Sequence, residues 1–185
     1  MACIRKVPSM TRRQFMSAVA LNAAALALTA PVLTFATQTP RSLSFSHTHT
    51  GEKLNIQYGE VGGYDAKALA EIDQFLRDFR TGEVHPIDPH LLDQLASISH
   101  SFGSQGTFEV ISGFRSPKTN QKLRSNSSKV AKRSLHMKGQ AIDVRLTGVR
   151  IKKLQQCALQ LQCGGVGYYP KSDFIHLDTG RVRYW

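Results

Sequence analysis

Three residues in two short stretches carry the chemistry that can be read from this chain. His136 and Asp143 lie in Ser134-Leu135-His136-Met137-Lys138-Gly139-Gln140-Ala141-Ile142-Asp143, and His176 lies in Asp173-Phe174-Ile175-His176-Leu177-Asp178. From Gly139 to Leu146 the residues alternate, with Gln140, Ile142, Val144 and Leu146 on one parity and Ala141, Asp143 and Arg145 on the other, the pattern of a strand with one buried face. Burying the apolar parity turns Asp143 to the opposite face. Gly139 is free to take a positive φ, so the chain can turn there and bring His136 toward Asp143. The second stretch alternates as well, and His176 completes a set of two imidazoles and one carboxylate. With the fourth position left to water, that is the ligand arithmetic of a catalytic zinc, since structural sites close all four positions with protein groups.

The elements that must position these residues follow from periodicity. Ser42 to Ser46 and Glu52 to Tyr58 read as a β-hairpin turning through Thr48-His49-Thr50-Gly51. His47 and His49 share a parity there, but no acid or cysteine partner is adjacent. Asp65 caps a helix over 65–80 with Leu69, Ile72, Phe75, Leu76 and Phe79 at helical spacing. Pro86-Ile87-Asp88-Pro89 opens a second helix to 101, and 149–162 reads as a third with Leu154, Cys157, Ala158 and Leu161 turned inward. His85, His90 and His100 read as surface or cap residues. The expected fold class is α+β: a small antiparallel sheet carrying the zinc site, covered by helices on the other face.

Phe108-Glu109-Val110-Ile111 is a short strand running into Ser112-Gly113-Phe114-Arg115-Ser116. Arg115 therefore stands at the rim of a cleft, where its fork can bind a carboxylate, steady an oxyanion or form a structural salt bridge. Ser116-Pro117 opens a polar helix to about Arg124. The segment from Ser125 to Arg133 reads as a loop over the site, and its Lys129, Lys132 and Arg133 either meet an anionic substrate or are simply solvated. Gly164-Gly165-Val166-Gly167 leads into Tyr168 and Tyr169, which line a groove or pack.

Together these motifs resemble a known superfamily. The pattern Ser134-x-His136-x-x-Gly139-x-Ala141-x-Asp143, with a histidine in an extended segment about thirty residues later, is similar to the zinc metallopeptidases that include D-Ala-D-Ala carboxypeptidases, murein endopeptidases and hedgehog-like domains. The nearer resemblance is to the exported murein endopeptidase K family. It takes in Ser112 to Ser116, His136 to Asp143, Gly164 to Tyr169 and His176-Leu177-Asp178-Thr179-Gly180. The resemblance implies Zn2+ held by His136, Asp143 and His176, with peptide cross-links of peptidoglycan as the substrate, at links between two diaminopimelate residues. A D-Ala-D-Ala carboxypeptidase and a non-catalytic zinc-containing peptidoglycan-binding module are the alternatives. The superfamily often has a glutamate three residues before the last histidine, a position held here by Asp173. Parity instead favours Asp178 as the proton-transferring acid, because it shares a face with His176, and both aspartates remain open beside Arg115 as catalytic candidates.

Composition bounds the rest. The net charge is +11, of which Arg5, Lys6, Arg12 and Arg13 fall in the first 36 residues, leaving 20 basic against 13 acidic groups. Such a surface attracts polyanions. No helix has a dense basic face and no aromatic platform stands out as nucleic-acid binding would require. On charge alone a carboxylate-rich wall polymer fits equally well, as does a basic surface that serves solubility, and the resemblance implies the wall polymer and no nucleic acid. Residues 1–36 read as an export signal: paired Arg12-Arg13 before Gln14-Phe15, a weakly apolar run from Ala18 to Leu28, and a small-x-small site at Thr34-Phe35-Ala36. This resembles a twin-arginine leader, which implies the periplasm. The apolar run is too short to span a membrane. Residues 37–185 are then a single zinc peptidase domain, expected to be a monomer. Cys157 and Cys163, about 9 Å apart on a shared helix, lie beyond disulfide reach and are expected as two reduced, mostly buried thiols.

Overall fold

A computed structural model describes residues 41–60, 62–103, 106–127 and 130–185. The leader expected over residues 1–36, and Lys129, lie outside them. Strand β1 (Arg41–His47) and β2 (Lys53–Glu60) form the expected hairpin, followed by β3 (Gly63–Tyr64), α1 (Ala66–Phe75) and α2 (Pro89–Ser101). Then come β4 (Phe108–Ser112), α3 (Pro117–Asn126), a 3-10 turn (Leu135–Lys138), β5 (Ala141–Leu146), α4 (Ile151–Leu161), β6 (Gly165–Tyr169), β7 (Phe174–Asp178) and β8 (Arg183–Tyr184).

The α+β class is the one expected, but the sheet is neither small nor wholly antiparallel. Among the described residues it has eight strands in the order β3-β2-β1-β4-β5-β7-β6-β8. β1 and β4 pair in parallel because α1 and α2 lie between them and return the chain to the same end of the sheet. β8 is parallel to β6 because the short turn after β7 carries the chain past β6 to its outer edge. The apolar parity of the strands forms one face: Phe45, Phe108, Val110, Ile142, Val144, Ile175 and Leu177 are buried there with Ile72, Leu91, Leu95, Ile98 and Leu154 of the helices. Each fully buried aliphatic side chain contributes about 1.5–3 kcal/mol. That face holds the sheet rigid, and the other parity is left to the site.

Caps start the helices where expected. The Asp65 carboxylate accepts from the amides of Lys67 and Ala68, and that of Asp88 accepts from His90. The first helix nevertheless ends at Phe75, short of the expected residue 80. Asp78 explains this, because its side chain offers the backbone a better partner than the next helical turn. Its carboxylate accepts from Arg80 N at 3.0 Å and from Ser116 N at 2.9 Å, while the Leu76 carbonyl accepts from Phe114 N at 2.9 Å. These bonds strap the end of α1 to the segment that carries Arg115. Phe79 leaves the helical register and stacks on His49. At the hairpin, His47 is buried and its Nδ1 accepts from the amides of His49 and Thr50, so it caps the turn. The cysteine expectation is corrected: Cys157 is half-buried on α4, but Cys163 is exposed, because Gln162 takes a left-handed φ of 54° and ends the helix before it.

Burial alone would raise the Asp78 carboxyl, but hydrogen bonds from Thr119, Ser116 and Arg80 outweigh it and hold it below the ordinary carboxylate value. Its stabilisation is therefore present above the pKa of the unfolded chain and is lost as pH falls through the lower folded value. Asp78→Asn is expected to cost about 1–3 kcal/mol at neutral pH in urea unfolding. The difference from the unchanged protein should shrink as pH is lowered from about 5 to about 2.

Candidate metal centre

The register of three antiparallel pairings lines up the site. Ser112 of β4 stands opposite Asp143 of β5, Asp143 opposite His176 of β7, and His176 opposite Gly167 of β6. Directly opposed residues on one face have their Cβ atoms within about 5.5 Å, so the sheet itself sets the carboxylate beside the imidazole. His136 arrives from outside the sheet, on the 3-10 turn. Gly139 closes that turn at φ 65°, and a Cβ there would stand 2.0 Å from the Pro86 carbonyl oxygen. The turn expected at this glycine is present, and only glycine fits it.

Hydrogen-bond partners fix the imidazole tautomers. His136 Nδ1 lies 2.7 Å from the Gly113 carbonyl oxygen, an acceptor, so Nδ1 carries the proton and Nε2 is bare. His176 Nε2 lies 3.0 Å from Asp178 Oδ2, so Nε2 donates there, and Nδ1 is the nitrogen that is bare toward a metal or, when the ring is protonated, donates to Asp143. Both bare nitrogens face Asp143 Oδ1. The separations are 3.2 Å between the two nitrogens, 2.9 Å from His176 Nδ1 to Asp143 Oδ1 and 3.3 Å from His136 Nε2 to the same oxygen. Three electron pairs converge with no donor among them in this neutral tautomer pair. Ligands about 2.05 Å from a tetrahedral ion stand about 3.3 Å apart, so the triangle has the size that such an ion requires. Two imidazoles and a carboxylate suit zinc or a neighbouring transition metal better than magnesium or calcium. Among the described residues this trio is the cluster able to hold a metal.

Charge around the trio is arranged to keep it ready. Burial opposes ionisation of Asp143, but His136, His176 and Arg115 together hold its carboxyl well below the ordinary value. Arg115 donates to Asp143 Oδ2, and its Nε donates to Ser112 Oγ at 2.8 Å. Of the alternatives for Arg115, the structure contains the salt bridge: it holds the second oxygen of Asp143 so that the first faces the trio. Burial lowers His136. For His176 burial acts the same way, but its bonds to Asp143 and Asp178 outweigh it and raise the pKa. Without a metal, a proton on His176 supplies the positive charge that the converging groups need.

Asp178 is fully buried behind His176. Its oxygens accept from His176 Nε2, from the amides of Gly165 and Gly180, and from Arg183 through Nη1 at 2.9 Å and Nη2 at 2.6 Å. Burial would raise its carboxyl, yet the bonds from His176, Arg183 and Gly180 hold it far below the ordinary range. Asp178 is thus engaged on both oxygens and turned away from the bare His176 nitrogen. Asp173 lies at the other end of β7 with an exposed side chain, 3.3 Å from Arg145. Its left-handed φ of 53° belongs to the turn into the strand.

Comparison with known proteins agrees with the motifs. The family described as peptidoglycan L,D-endopeptidase MepK matches residues 35–185. The chain is 42% identical over 167 residues to peptidoglycan L,D-endopeptidase MepK of Escherichia coli (strain K12), covering 90% of this chain and 91% of that protein, and equally so to that of Shigella flexneri. It is 44% identical over 150 residues to a probable peptidoglycan L,D-endopeptidase MepK of Haemophilus influenzae, covering 80% and 81%. The chain belongs to the MepK family.

In this MepK-family chain the trio lies in a cleft of about 580 Å³ whose walls include His49, Arg80, Arg133, Tyr169 and Trp185. Trp185 packs 5.3 Å from His176, in space left by Gly167, where a Cβ would stand 2.8 Å from the indole. Its Nε1 donates to Tyr169 Oη at 2.9 Å. Three participants were not singled out from sequence, Arg183, Trp185 and Arg80, and His49 was read there only beside His47 and not as part of the cleft. Arg183 had a faint signal, a cation five residues after an aspartate that shares parity with His176. Trp185 had none, because its place depends on β8 pairing with β6.

A carboxylate that receives the far proton of a metal-bound imidazole typically contributes 10–100-fold to metal affinity. Asp178→Asn is therefore expected to weaken zinc binding by about that factor in competition with a chromophoric chelator. Because the imidazoles must be bare to bind, affinity in the unchanged protein should also fall as pH is lowered through the titration of His176.

Proposed function

We propose that this protein is a zinc-dependent endopeptidase that hydrolyses peptide cross-links of peptidoglycan in the periplasm, at links between two diaminopimelate residues. The observation that carries the reading is the convergence of His136 Nε2, His176 Nδ1 and Asp143 Oδ1 at the floor of an open cleft. Zinc bound there supplies a Lewis acid for the scissile carbonyl and brings the pKa of its water to about 7. The relatives in Escherichia coli and Haemophilus influenzae are named as L,D-endopeptidases, and the diaminopimelate link itself rests on the resemblance of the motifs to the murein endopeptidase K family. The compartment rests on the leader-like residues 1–36.

The chain's own residues divide the remaining work. Arg115 and Asp178 are positioning residues, the first for Asp143 and the second for His176. Asp178 is bonded to His176 and Arg183, and Asp173 is exposed and paired with Arg145. A histidine outside the trio also lines the cleft: His49, held flat against Phe79 with ring centroids 4.4 Å apart. His49 takes the proton of the attacking water and returns it to the leaving amine. An endopeptidase also needs a groove that runs on past the reacting bond. Tyr169 and Trp185 border both this cleft and a second groove formed with Tyr168, Pro170, Lys171 and Ser172, which favours the endopeptidase over a carboxypeptidase.

Incubation with purified cross-linked muropeptides, with and without chelator, should convert dimers to monomers in mass spectra, with the activity lost to chelator and restored by zinc. Loss of a terminal alanine alone would instead indicate a carboxypeptidase, and an unchanged spectrum from zinc-loaded protein a binding module. His49→Gln should lower kcat by about 10²–10⁴-fold with zinc content retained. A kcat within twofold would remove His49 from the proton path.

A further inference from the structure

The cleft has more positive charge than its own acids use. Four guanidinium groups line it, those of Arg80, Arg115, Arg133 and Arg183, and among the described lining residues the carboxylate is Asp143. Arg115 is taken up by Asp143 and Ser112. Arg183 is taken up by Asp178, which lies behind the wall. Arg133 stands on the exposed segment that leads into the 3-10 turn. Arg80 differs from all three.

No ion pair joins the Arg80 guanidinium to a carboxylate among the described residues. Its Cζ lies 4.1 Å from the centroid of the Phe79 ring, and the same ring carries His49 in a near-parallel stack, 14° between planes. A planar cation laid on an aromatic ring loses little further freedom when it binds, while its N–H edge stays available. The backbone beneath it is fixed too. Arg80 N donates to one oxygen of Asp78, and the other oxygen accepts from Ser116 N, next to Arg115. One buried carboxylate therefore sets the spacing between the cation that steadies Asp143 and the cation that has no acid. Desolvation and the like charge of Arg115 disfavour a lone cation here, against the pull of Asp78. An anion arriving with the substrate relieves that cost.

We propose that Arg80, seated on Phe79, is a binding subsite for a free carboxylate on the substrate beside the scissile amide. The inference rests on the peptidase reading for its substrate and deepens it. Diaminopimelate at a cross-link carries a carboxyl group that lysine at the same position lacks, and amidation of that group removes its charge while keeping its shape. The subsite selects the charged form, by a charge-assisted and geometrically bidentate contact.

The test compares two muropeptide dimers that differ only in whether the diaminopimelate carboxyl groups are free or amidated. Binding to chelator-treated protein is measured by titration calorimetry, and kcat/KM with zinc present. The unchanged protein should favour the free carboxylate by about tenfold or more in both readouts. Arg80→Gln should bring the ratio close to one, and Arg80→Lys should leave it between the two, with thermal midpoint and zinc stoichiometry confirming that each variant is folded. A ratio near one in the unchanged protein, or an Arg80→Gln variant that weakens both dimers alike, would overturn the subsite. Discrimination in binding with no cleavage of either dimer would support the subsite and count against the peptidase reading, so the two failures are distinguishable.

Discussion

Two imidazoles held with their bare nitrogens toward one carboxylate oxygen are the arrangement on which the rest of the site depends. Neither ring is free to turn away, because each has its other nitrogen committed to an acceptor: His136 to the Gly113 carbonyl and His176 to Asp178. Three acceptors 2.9–3.3 Å apart repel one another unless a cation lies between them. The fold therefore stores an electrostatic demand, answered by a proton when no metal is bound and by a divalent ion of suitable size when one is. The same demand explains why so much cation surrounds so few acids. Arg115 and Arg183 neutralise the carboxylates that steer the ligands without competing for the oxygen or nitrogens that face the metal.

That arrangement is only as firm as the strand register. Asp143 and His176 face each other across β5 and β7, and a slip of one residue would send both into the helix-covered core. The alternating apolar residues prevent the slip, since Ile142, Val144, Ile175 and Leu177 would be expelled from that core by the same shift. Close approaches at glycines complete the frame. A Cβ at Gly165 would stand 2.5 Å from Asp178 Oδ2 and 2.3 Å from Arg183 Nη1, so the ion pair behind His176 exists because β6 has no side chain there.

Much of this was legible in the sequence, and the parts that were not have a common cause. Period-two alternation around Asp143 and His176, the positive-φ glycine after His136 and the caps at Asp65 and Asp88 are local signals, and the structure contains each of them. The eight-stranded mixed sheet was not legible, because parallel pairing of β1 with β4 and of β6 with β8 depends on how chain segments return in space. Parity put Asp178 on the face of His176, as observed, but parity does not report depth. The buried contact with Arg183 ties up an aspartate that would otherwise look available. Phe79 followed the helical spacing of α1 and yet lies outside the helix, where the side chain of Asp78 redirects the chain and leaves Arg80 in the cleft.

Anomalous diffraction from crystals of the zinc-loaded protein, recorded on both sides of the zinc absorption edge, tests the central claim most directly. The account predicts one strong peak about 2.0–2.2 Å from His136 Nε2, His176 Nδ1 and Asp143 Oδ1, with Asp178 still bonded to His176 Nε2. A peak bound through His136 Nδ1 or His176 Nε2, or one outside the trio, would contradict it.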